Sequence, residues 1–153
     1  FIANEYGTMV IAAAGNDSTF FGKHDIDLKP RYPASFSNKS LLVIASTTSS
    51  GGLSSFSNVG KVGVDLAAPG SSIFSTMPGN KYASMSGTSM ASPTTAGVAA
   101  EVLSHFPELG PVELKQVLID SVSKVDAFER YMVSGGRVDL YESLRAALNK
   151  SVE

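Results

Sequence analysis

The sequence contains no cysteine and no tryptophan among its 153 residues. Without cysteine, a disulfide framework and a thiolate metal site are both excluded. Lysine and arginine are not clustered and the formal net charge is -2, so we expect no nucleic-acid surface. No apolar run approaches the roughly 20 residues that a helix needs to cross a bilayer, so we predict no membrane span.

What the chain does contain is typical of a globular domain, with 43% hydrophobic and 17% charged residues. Its length suits one domain with a real core. The first residue is phenylalanine, and residues 1–5 have the pattern of a helix tail that leads into a strand. We therefore expect the sequence to begin inside a domain, so the lack of a targeting segment carries no information.

Apolar runs bounded by glycine, proline and asparagine predict β-strands in the first half of the chain. Residues 8–14 and 41–47 are continuous apolar runs, which are typical of buried parallel strands. Shorter strands are expected at residues 64–68, 72–76 and 81–85, where turn residues separate them.

The last third of the chain is predicted to be helical. A first helix spans residues 89–106, and Pro111 suits the first position of a second. Asp139 can cap a third helix, in which four apolar residues share one face: Leu140, Leu144, Ala147 and Leu148. Gly135-Gly136 is predicted to break the chain between them. Together these elements predict an α/β fold with a mostly parallel sheet flanked by helices.

The first predicted helix is rich in small residues. Small side chains allow a helix to be buried among neighbouring strands. The residues expected to be buried in this way are Ala91, Ala96, Gly97, Ala99 and Ala100.

Three serines surround the start of this helix, in the segment "SGTSMASP". Ser89 follows the turn at Gly87, where the helix offers free N–H groups and the positive end of its dipole. A serine held there can attack a carbonyl whose developing oxyanion lies near those donors. A serine at a helix start can equally be a simple N-cap, and Asn16, after the first strand, can equally be a turn residue.

A serine nucleophile needs a base, and the sequence has two histidines, His24 and His105. His105 follows Ser89 by 16 residues on the same predicted helix. At about 1.5 Å of rise per residue the two lie about 24 Å apart, which excludes His105 as the base. Spacing alone leaves His24 open, although a loop imidazole beside acidic neighbours is typical of a solvated residue.

Several segments resemble the subtilisin-like serine peptidases, in the same order along the chain. "SGTSMASPTTAGVAA" resembles the nucleophile motif of that family, and "VIAAAGND" resembles the strand and loop that carry its oxyanion-hole asparagine. "RYPASF", "LLVIAST", "SSFSNVGK", "VDLAAPG" and "GGRVDLYESLRAAL" resemble further family segments. The resemblance covers nearly the whole chain, and it implies a subtilisin-like fold and a serine endopeptidase that works through an acyl-enzyme.

The resemblance implies a role for two residues in the chemistry. Ser89 corresponds to the nucleophile. Asn16 corresponds to the residue that donates its side-chain amide to the oxyanion, and the Ser89 backbone N–H is the second donor.

The resemblance also implies which residues bind substrate. Ala13, Ala14 and Gly15 correspond to the strand along one side of the primary specificity pocket, and Arg31 lies near the floor of that pocket. If Arg31 points inward, it favours an acidic residue before the scissile bond. The alternative is that Arg31 is a solvated loop charge.

Members of this family take their catalytic Asp and His from the N-terminal half of the domain. The resemblance therefore implies that residues 1–153 are the C-terminal part of a single peptidase domain, incomplete at its N-terminal side. We expect the chain alone to be inactive and to expose an apolar sheet edge, and His24 is not assigned as the base. The implied partners are a polypeptide substrate, the N-terminal half of the domain and a pro-segment, and the implied location is outside the cytoplasm.

The implied chemistry requires no cofactor. Asp65 matches a family position near a weak cation site, but Gly63 stands where some relatives carry a second carboxylate. One carboxylate with backbone carbonyls makes a weak calcium site at best, so a purely structural role for Asp65 is an equal alternative. No residue is assigned as a metal ligand.

Two other functional classes compete with the peptidase. A non-catalytic relative that only binds peptides needs neither Ser89 nor Asn16, so the presence of both argues against it. An α/β-hydrolase places its nucleophile in Gly-x-Ser-x-Gly, and here Ala91 stands in place of the second glycine.

Overall fold

The structure is a computed structural model that describes residues 6–151, so the expected helix tail in residues 1–5 lies outside the described residues. Its strands are β1 (Val10–Ala13), β2 (Leu41–Thr47), β3 (Leu66–Pro69), β4 (Ile73–Met77), β5 (Lys81–Met85), β6 (Ser123–Lys124) and β7 (Gly136–Arg137). Its α-helices are α1 (Thr88–His105), α2 (Pro111–Asp120) and α3 (Leu140–Lys150).

Five strands form one sheet in the order β1-β2-β3-β7-β6. The pairs β1–β2, β2–β3 and β3–β7 are parallel, and β6 is antiparallel to β7. Strands β4 and β5 form a separate antiparallel hairpin that leads directly into α1. The predicted α/β class with a mostly parallel sheet is confirmed.

Strand β2 shows why the sheet is buried on both faces. All of its residues are buried, and successive side chains point to opposite sides. Leu42 and Ile44 pack in a core with residues of all three helices, whereas Leu41 and Val43 pack in a second core beneath loops. A continuous apolar run is therefore what this position in a parallel sheet requires.

Helix α1 begins where two strands of the sheet end. The Gly87 N–H donates to the Gly70 carbonyl at 2.8 Å, just beyond β3. The Gly15 N–H, just beyond β1, donates to Thr88 Oγ1 at 3.2 Å. These contacts bring the segments around Asn16 and Ser89 together, although they are far apart in the sequence.

The small residues of α1 differ in their burial. Ala91 and Ala99 are buried, as predicted, but Ala96, Gly97 and Ala100 are exposed. The prediction was wrong for these three residues because nothing in residues 6–151 covers that face of α1.

Fewer of the apolar residues predicted on one face of α3 are buried than the sequence indicated. Ala147 is buried, but Leu140 and Leu148 are 41% and 53% exposed. Ser143 is buried instead, and its hydroxyl donates to the Asp139 carbonyl at 2.6 Å and contacts Ser121 Oγ at 2.8 Å. The predicted cap is present, because Asp139 Oδ1 accepts the Glu142 N–H at 3.1 Å.

The chain break predicted at Gly135-Gly136 overlaps a short strand in the structure. Gly136 belongs to β7, and a Cβ there would lie 2.5 Å from Val122 Cγ2. This glycine therefore permits close packing within the sheet rather than a chain break.

Strand β1 forms one edge of the sheet. Within residues 6–151 it pairs only with β2, and three of its four residues are half-buried. None of the helices in this part of the chain is both long and apolar enough to cross a membrane.

Candidate active site

The turn at the carboxyl end of β1 carries Asn16. Gly15, just before it, has a φ of 102°, a conformation that glycine adopts far more readily than other residues. A Cβ at Gly15 would also lie 2.5 Å from Asn58 Nδ2, which is too close for the two atoms. The glycine therefore allows both the sharp turn and the packing of Asn58 against it.

Thr88, the first residue of α1, fixes the side chain of Asn16. Its hydroxyl accepts from the Gly15 N–H at 3.2 Å and donates to Asn16 Oδ1 at 2.9 Å. The Thr88 backbone N–H donates to the same oxygen at 2.9 Å. Because a backbone N–H can only donate, these contacts identify the oxygen of the amide and leave its Nδ2 group free for another acceptor.

Two N–H donors lie beside Gly87. The point that a Cβ on Gly87 would occupy is 3.5 Å from Asn16 Nδ2 and 3.6 Å from the Ser89 backbone nitrogen. Within residues 6–151 the Ser89 N–H has no acceptor, as is usual for the first N–H groups of a helix. Both donors therefore border a space that a side chain at position 87 would fill.

The three serines of the helix start differ in what their hydroxyls contact. Ser86 Oγ accepts the Ser72 N–H at 2.8 Å, and Ser92 Oγ donates to the Ile11 carbonyl at 3.3 Å. Ser89 is exposed, and its hydroxyl makes no hydrogen bond to any residue between 6 and 151. Since the cap position of α1 is Gly87, Ser89 does not act as an N-cap.

Among the described residues, neither histidine makes a hydrogen bond to Ser89. His24 Nε2 lies 3.0 Å from the Lys29 carbonyl, within the loop that follows Asn16. His105 is at the far end of α1, with its Nε2 3.4 Å from Glu101 Oε1. The prediction that Ser89 and His105 lie on one helix is correct.

Arg31 is bound by a carboxylate of the same loop. Its Nε and Nη2 donate to Asp17 Oδ2 and Oδ1 at 2.9 and 3.0 Å. Hydrogen bonds from Arg31 and then from Asn58 hold the pKa of Asp17 well below its usual range. The role of Arg31 in substrate binding stays a prediction. In the structure its positive charge is paired with the Asp17 carboxylate.

The three residues predicted to line the specificity pocket lie at the end of β1 and in the turn. Ala13 and Gly15 are half-buried, and Ala14 is fully buried. The Ala14 N–H donates to the Ile44 carbonyl at 3.0 Å, and its carbonyl accepts from Asn58 Nδ2 at 3.0 Å. Their contact with substrate stays a prediction.

Asp65 lies beside a lysine rather than in an open cation site. Its Oδ1 is 2.9 Å from Lys115 Nζ, and its Oδ2 accepts the Val43 N–H at 2.7 Å. Burial raises the pKa of Asp65, and this outweighs the opposite effect of Lys115. Both oxygens are occupied and an ammonium group fills the place of a cation, so these residues do not fit a calcium ion. Within residues 6–151 no group of three or more acidic or histidine side chains could hold a metal.

Sequence reasoning missed two residues of the site, Thr88 and Asn58. Thr88 lies between Gly87 and Ser89 in the nucleophile segment, but its contacts with the turn at Asn16 join residues 72 or more positions apart. Asn58 is fully buried and contacts the same turn from the other side. A buried asparagine in a serine-rich loop gives no local signal of its partners, so only the fold reveals them.

Comparisons with known proteins show which family the chain resembles. The model of the Subtilase family matches residues 1–136. Thermitase of Thermoactinomyces vulgaris is 39% identical over 139 residues, which cover 91% of this chain and 45% of thermitase. The halolysin-like extracellular serine protease Nep of Natrialba magadii is 44% identical over 115 residues, covering 75% of this chain and 19% of that protein.

Solved structures of proteases share the fold. The self-cleaved protease domain of PatA has a TM-score of 0.77 at 25% identity, over 97% of this chain and 53% of that one. The prenylagaramide maturation protease PagA has a TM-score of 0.78 at 25% identity, with 95% and 53% covered. The chain thus spans about half the length of these structures and less than half of thermitase. The matched family model and the shared fold together establish that this chain belongs to the subtilase family.

Proposed function

We propose that this chain is part of a serine endopeptidase in which Ser89 is the nucleophile and Asn16 donates to the oxyanion. The observation that carries the proposal is that Asn16 Nδ2 and the Ser89 N–H border the same space at Gly87, next to a free serine hydroxyl. Donors held in this way stabilise charge as it develops and need no reorganisation during the reaction.

In this mechanism the Ser89 oxygen attacks the peptide carbonyl and its proton passes to a histidine base. The carbonyl electrons move to the oxygen, which accepts hydrogen bonds from Asn16 and the Ser89 N–H. When the intermediate collapses, the C–N bond breaks and the imidazolium gives its proton to the leaving amine. Water then hydrolyses the acyl-enzyme by the same steps and restores the Ser89 hydroxyl.

Thr88 prepares the amide of Asn16 for this role. Its hydroxyl and its backbone N–H both donate to Asn16 Oδ1 at 2.9 Å, so the amide is held by its oxygen end. The Nδ2 group is therefore oriented before substrate arrives.

The catalytic base, in this proposal, belongs to polypeptide outside these residues. Neither described histidine makes a hydrogen bond to Ser89, and relatives such as thermitase are more than twice as long as the part matched here. The proposed partner segment covers the outer edge of β1 and the exposed face of α1 that holds Ala96, Gly97 and Ala100. We call the chain together with this segment the assembled enzyme. A pro-segment is a further possible partner of that enzyme.

Relatives of the chain include extracellular proteases, such as those of Natrialba magadii and Xanthomonas campestris. We propose that the assembled enzyme acts outside the cytoplasm. Fractionation of the source cells tests this, because activity that stays with the cytoplasmic fraction contradicts secretion.

The test of the proposed function is hydrolysis of a denatured protein by the assembled enzyme and by residues 1–153 alone. We expect turnover only in the assembled enzyme. Ser89→Ala should lower kcat by about 10⁶-fold, the loss known for the nucleophile of subtilisin in the same family. Ser104→Ala is the matched control, because Ser104 is an exposed serine near the other end of α1 and should leave kcat unchanged.

Two outcomes contradict the proposal. Turnover by residues 1–153 alone, abolished in Ser89→Ala, shows that the base lies within the chain. An assembled enzyme that captures peptides equally well with and without Ser89, and never cleaves them, supports the non-catalytic relative instead.

A further inference from the structure

Asn58 holds the turn that carries Asn16, and none of its hydrogen bonds is to Asn16 itself. Its side chain is fully buried, with 0% of its surface exposed. Its Nδ2 donates to the Ala14 carbonyl at 3.0 Å and to Asp17 Oδ2 at 2.8 Å. Its Oδ1 accepts the N–H groups of Asp17 and Ser18 at 2.8 and 3.1 Å.

The backbone of Asn58 adds a further bond to the same turn, because its N–H donates to the Gly15 carbonyl at 3.0 Å. Asn58 therefore contacts the residues on both sides of Asn16. An asparagine suits this place, since one amide end accepts from two N–H groups while the other donates to a carbonyl and a carboxylate.

Asp17 links this buried contact to the surface. Its Oδ2 accepts from both Asn58 Nδ2 and Arg31 Nε, and its Oδ1 accepts from Arg31 Nη2. The carboxylate is thereby held on two sides, and the turn is braced from the core by Asn58 and from solvent by Arg31.

The position of Asn16 thus depends on two independent sets of contacts. Thr88 holds the oxygen end of its side chain, and Asn58 holds the backbone from which that side chain extends. We propose that Asn58 is a positioning residue for the oxyanion donor Asn16 and acts through the turn at residues 14–18. This inference rests on the proposed function.

The test variant is Asn58→Asp in the assembled enzyme. Aspartate has the same shape and keeps an oxygen for the N–H groups of Asp17 and Ser18. Its carboxyl group carries at most one proton, so it cannot donate to both the Ala14 carbonyl and the Asp17 carboxylate as Asn58 Nδ2 does. The turn should shift, and a small displacement of a catalytic group can lower the rate up to about a hundredfold. We expect kcat to fall by about ten- to a hundredfold, with KM changed less than about twofold.

A double-mutant cycle with Asn16→Ala separates positioning from general destabilisation. If Asn58 acts through Asn16, Asn58→Asp should lower kcat strongly in the parent and little in the Asn16→Ala background. Asn149→Asp makes the same substitution at an exposed position of α3 and should leave kcat unchanged in both backgrounds.

An equal loss of kcat in both backgrounds, or a change in KM alone, overturns the inference. Should Asn58→Asp fail to fold, the same cycle with Asp17→Asn replaces it, because that side chain is 38% exposed. A smaller loss of kcat that disappears with Asn16→Ala supports the proposal, and an equal loss in both backgrounds overturns it. Failure of the proposed function is distinguishable, because it is seen before Asn58 is changed: the parent assembled enzyme would not cleave peptides, or its turnover would survive Ser89→Ala.

Discussion

Two aspartates, Asp17 and Asp65, each bind one cationic side chain, yet their pKa values move in opposite directions. Asp17 pairs with Arg31 at the surface, and its pKa is lowered by the hydrogen bonds it accepts. Asp65 pairs with Lys115 and is only 6% exposed, and burial raises its pKa. The presence of a partner does not decide the sign of the shift, because loss of hydration outweighs the lysine at Asp65.

The two ion pairs therefore have different roles in the structure. The pair at Asp65 ties α2 to β2, since Lys115 also donates to the Leu41 carbonyl. The pair at Asp17 braces a turn beside the candidate catalytic residues. We expect the Asp65–Lys115 pair to contribute mainly to the stability of the fold. The Asp17–Arg31 pair should contribute mainly to the geometry of the candidate active site.

The largest expected effect on stability is at the buried pair. Lys115→Met leaves Asp65 buried without its cation and should lower the free energy of unfolding by about 3 kcal/mol. Urea unfolding of the assembled enzyme, carrying Ser89→Ala to prevent self-cleavage, measures this. Adding Asp65→Asn should restore much of the loss, and a loss no greater than that of Arg31→Gln would refute the distinction between the pairs.

The next largest effect on stability is expected at Gly15, in the turn that holds the Asp17–Arg31 pair. Gly15→Ala adds a Cβ at a φ of 102° and 2.5 Å from Asn58 Nδ2, and should lower the free energy of unfolding by about 2 kcal/mol. Gly79→Ala is the matched control, because Gly79 has a φ of 80° but no atom within 4 Å of the added Cβ. Equal losses at the two glycines would show that backbone conformation alone is responsible, and that Asn58 does not limit the turn.

The two aspartates should also give opposite dependences of stability on pH. The lowered pKa of Asp17 contributes stability above its unfolded pKa of about 3.9, and this is lost as the pH falls. The raised pKa of Asp65 contributes stability below that value, and this is lost as the pH rises through the folded pKa. Acid unfolding should therefore be shallower in Asp17→Asn and steeper in Asp65→Asn, and slopes that change in the same direction would contradict the assignment.

The smallest effect is expected at the surface arginine. Arg31→Gln removes an exposed ion pair and should lower the free energy of unfolding by less than about 1 kcal/mol, and by less still at high salt. Unfolding measured at low and at high salt tests this. A large, salt-independent loss would mean that the pair behaves like the buried one.

Much of the fold could be predicted because its signals are local. Strands β2 and β5 occupy the predicted residues, and α1 begins one residue before the predicted start. An apolar run and a turn marked by glycine, proline or asparagine depend only on neighbouring residues. The short strands β6 and β7 were missed, since each has two residues and is held by its partners in the sheet.

The sequence suggested the two candidate residues of the site, Ser89 and Asn16, but not the residues that hold them in place. Ser89 and Asn16 lie in recognisable segments, and the structure brings them to one corner of the sheet. Thr88 and Asn58 act on that corner through contacts between distant segments, and the lysine on Asp65 comes from another element. Such pairings depend on the folded arrangement of the chain, which residue patterns do not encode locally.

In the proposed enzyme, Ser89 becomes a nucleophile only when polypeptide outside these residues supplies its base. Labelling with a fluorophosphonate, followed by mass spectrometry of the labelled peptide, is the test of this dependence. We predict rapid labelling at Ser89 in the assembled enzyme and none in residues 1–153 alone. Equal labelling of Ser89 in both forms, or labelling of another serine in the assembled enzyme, would contradict the claim.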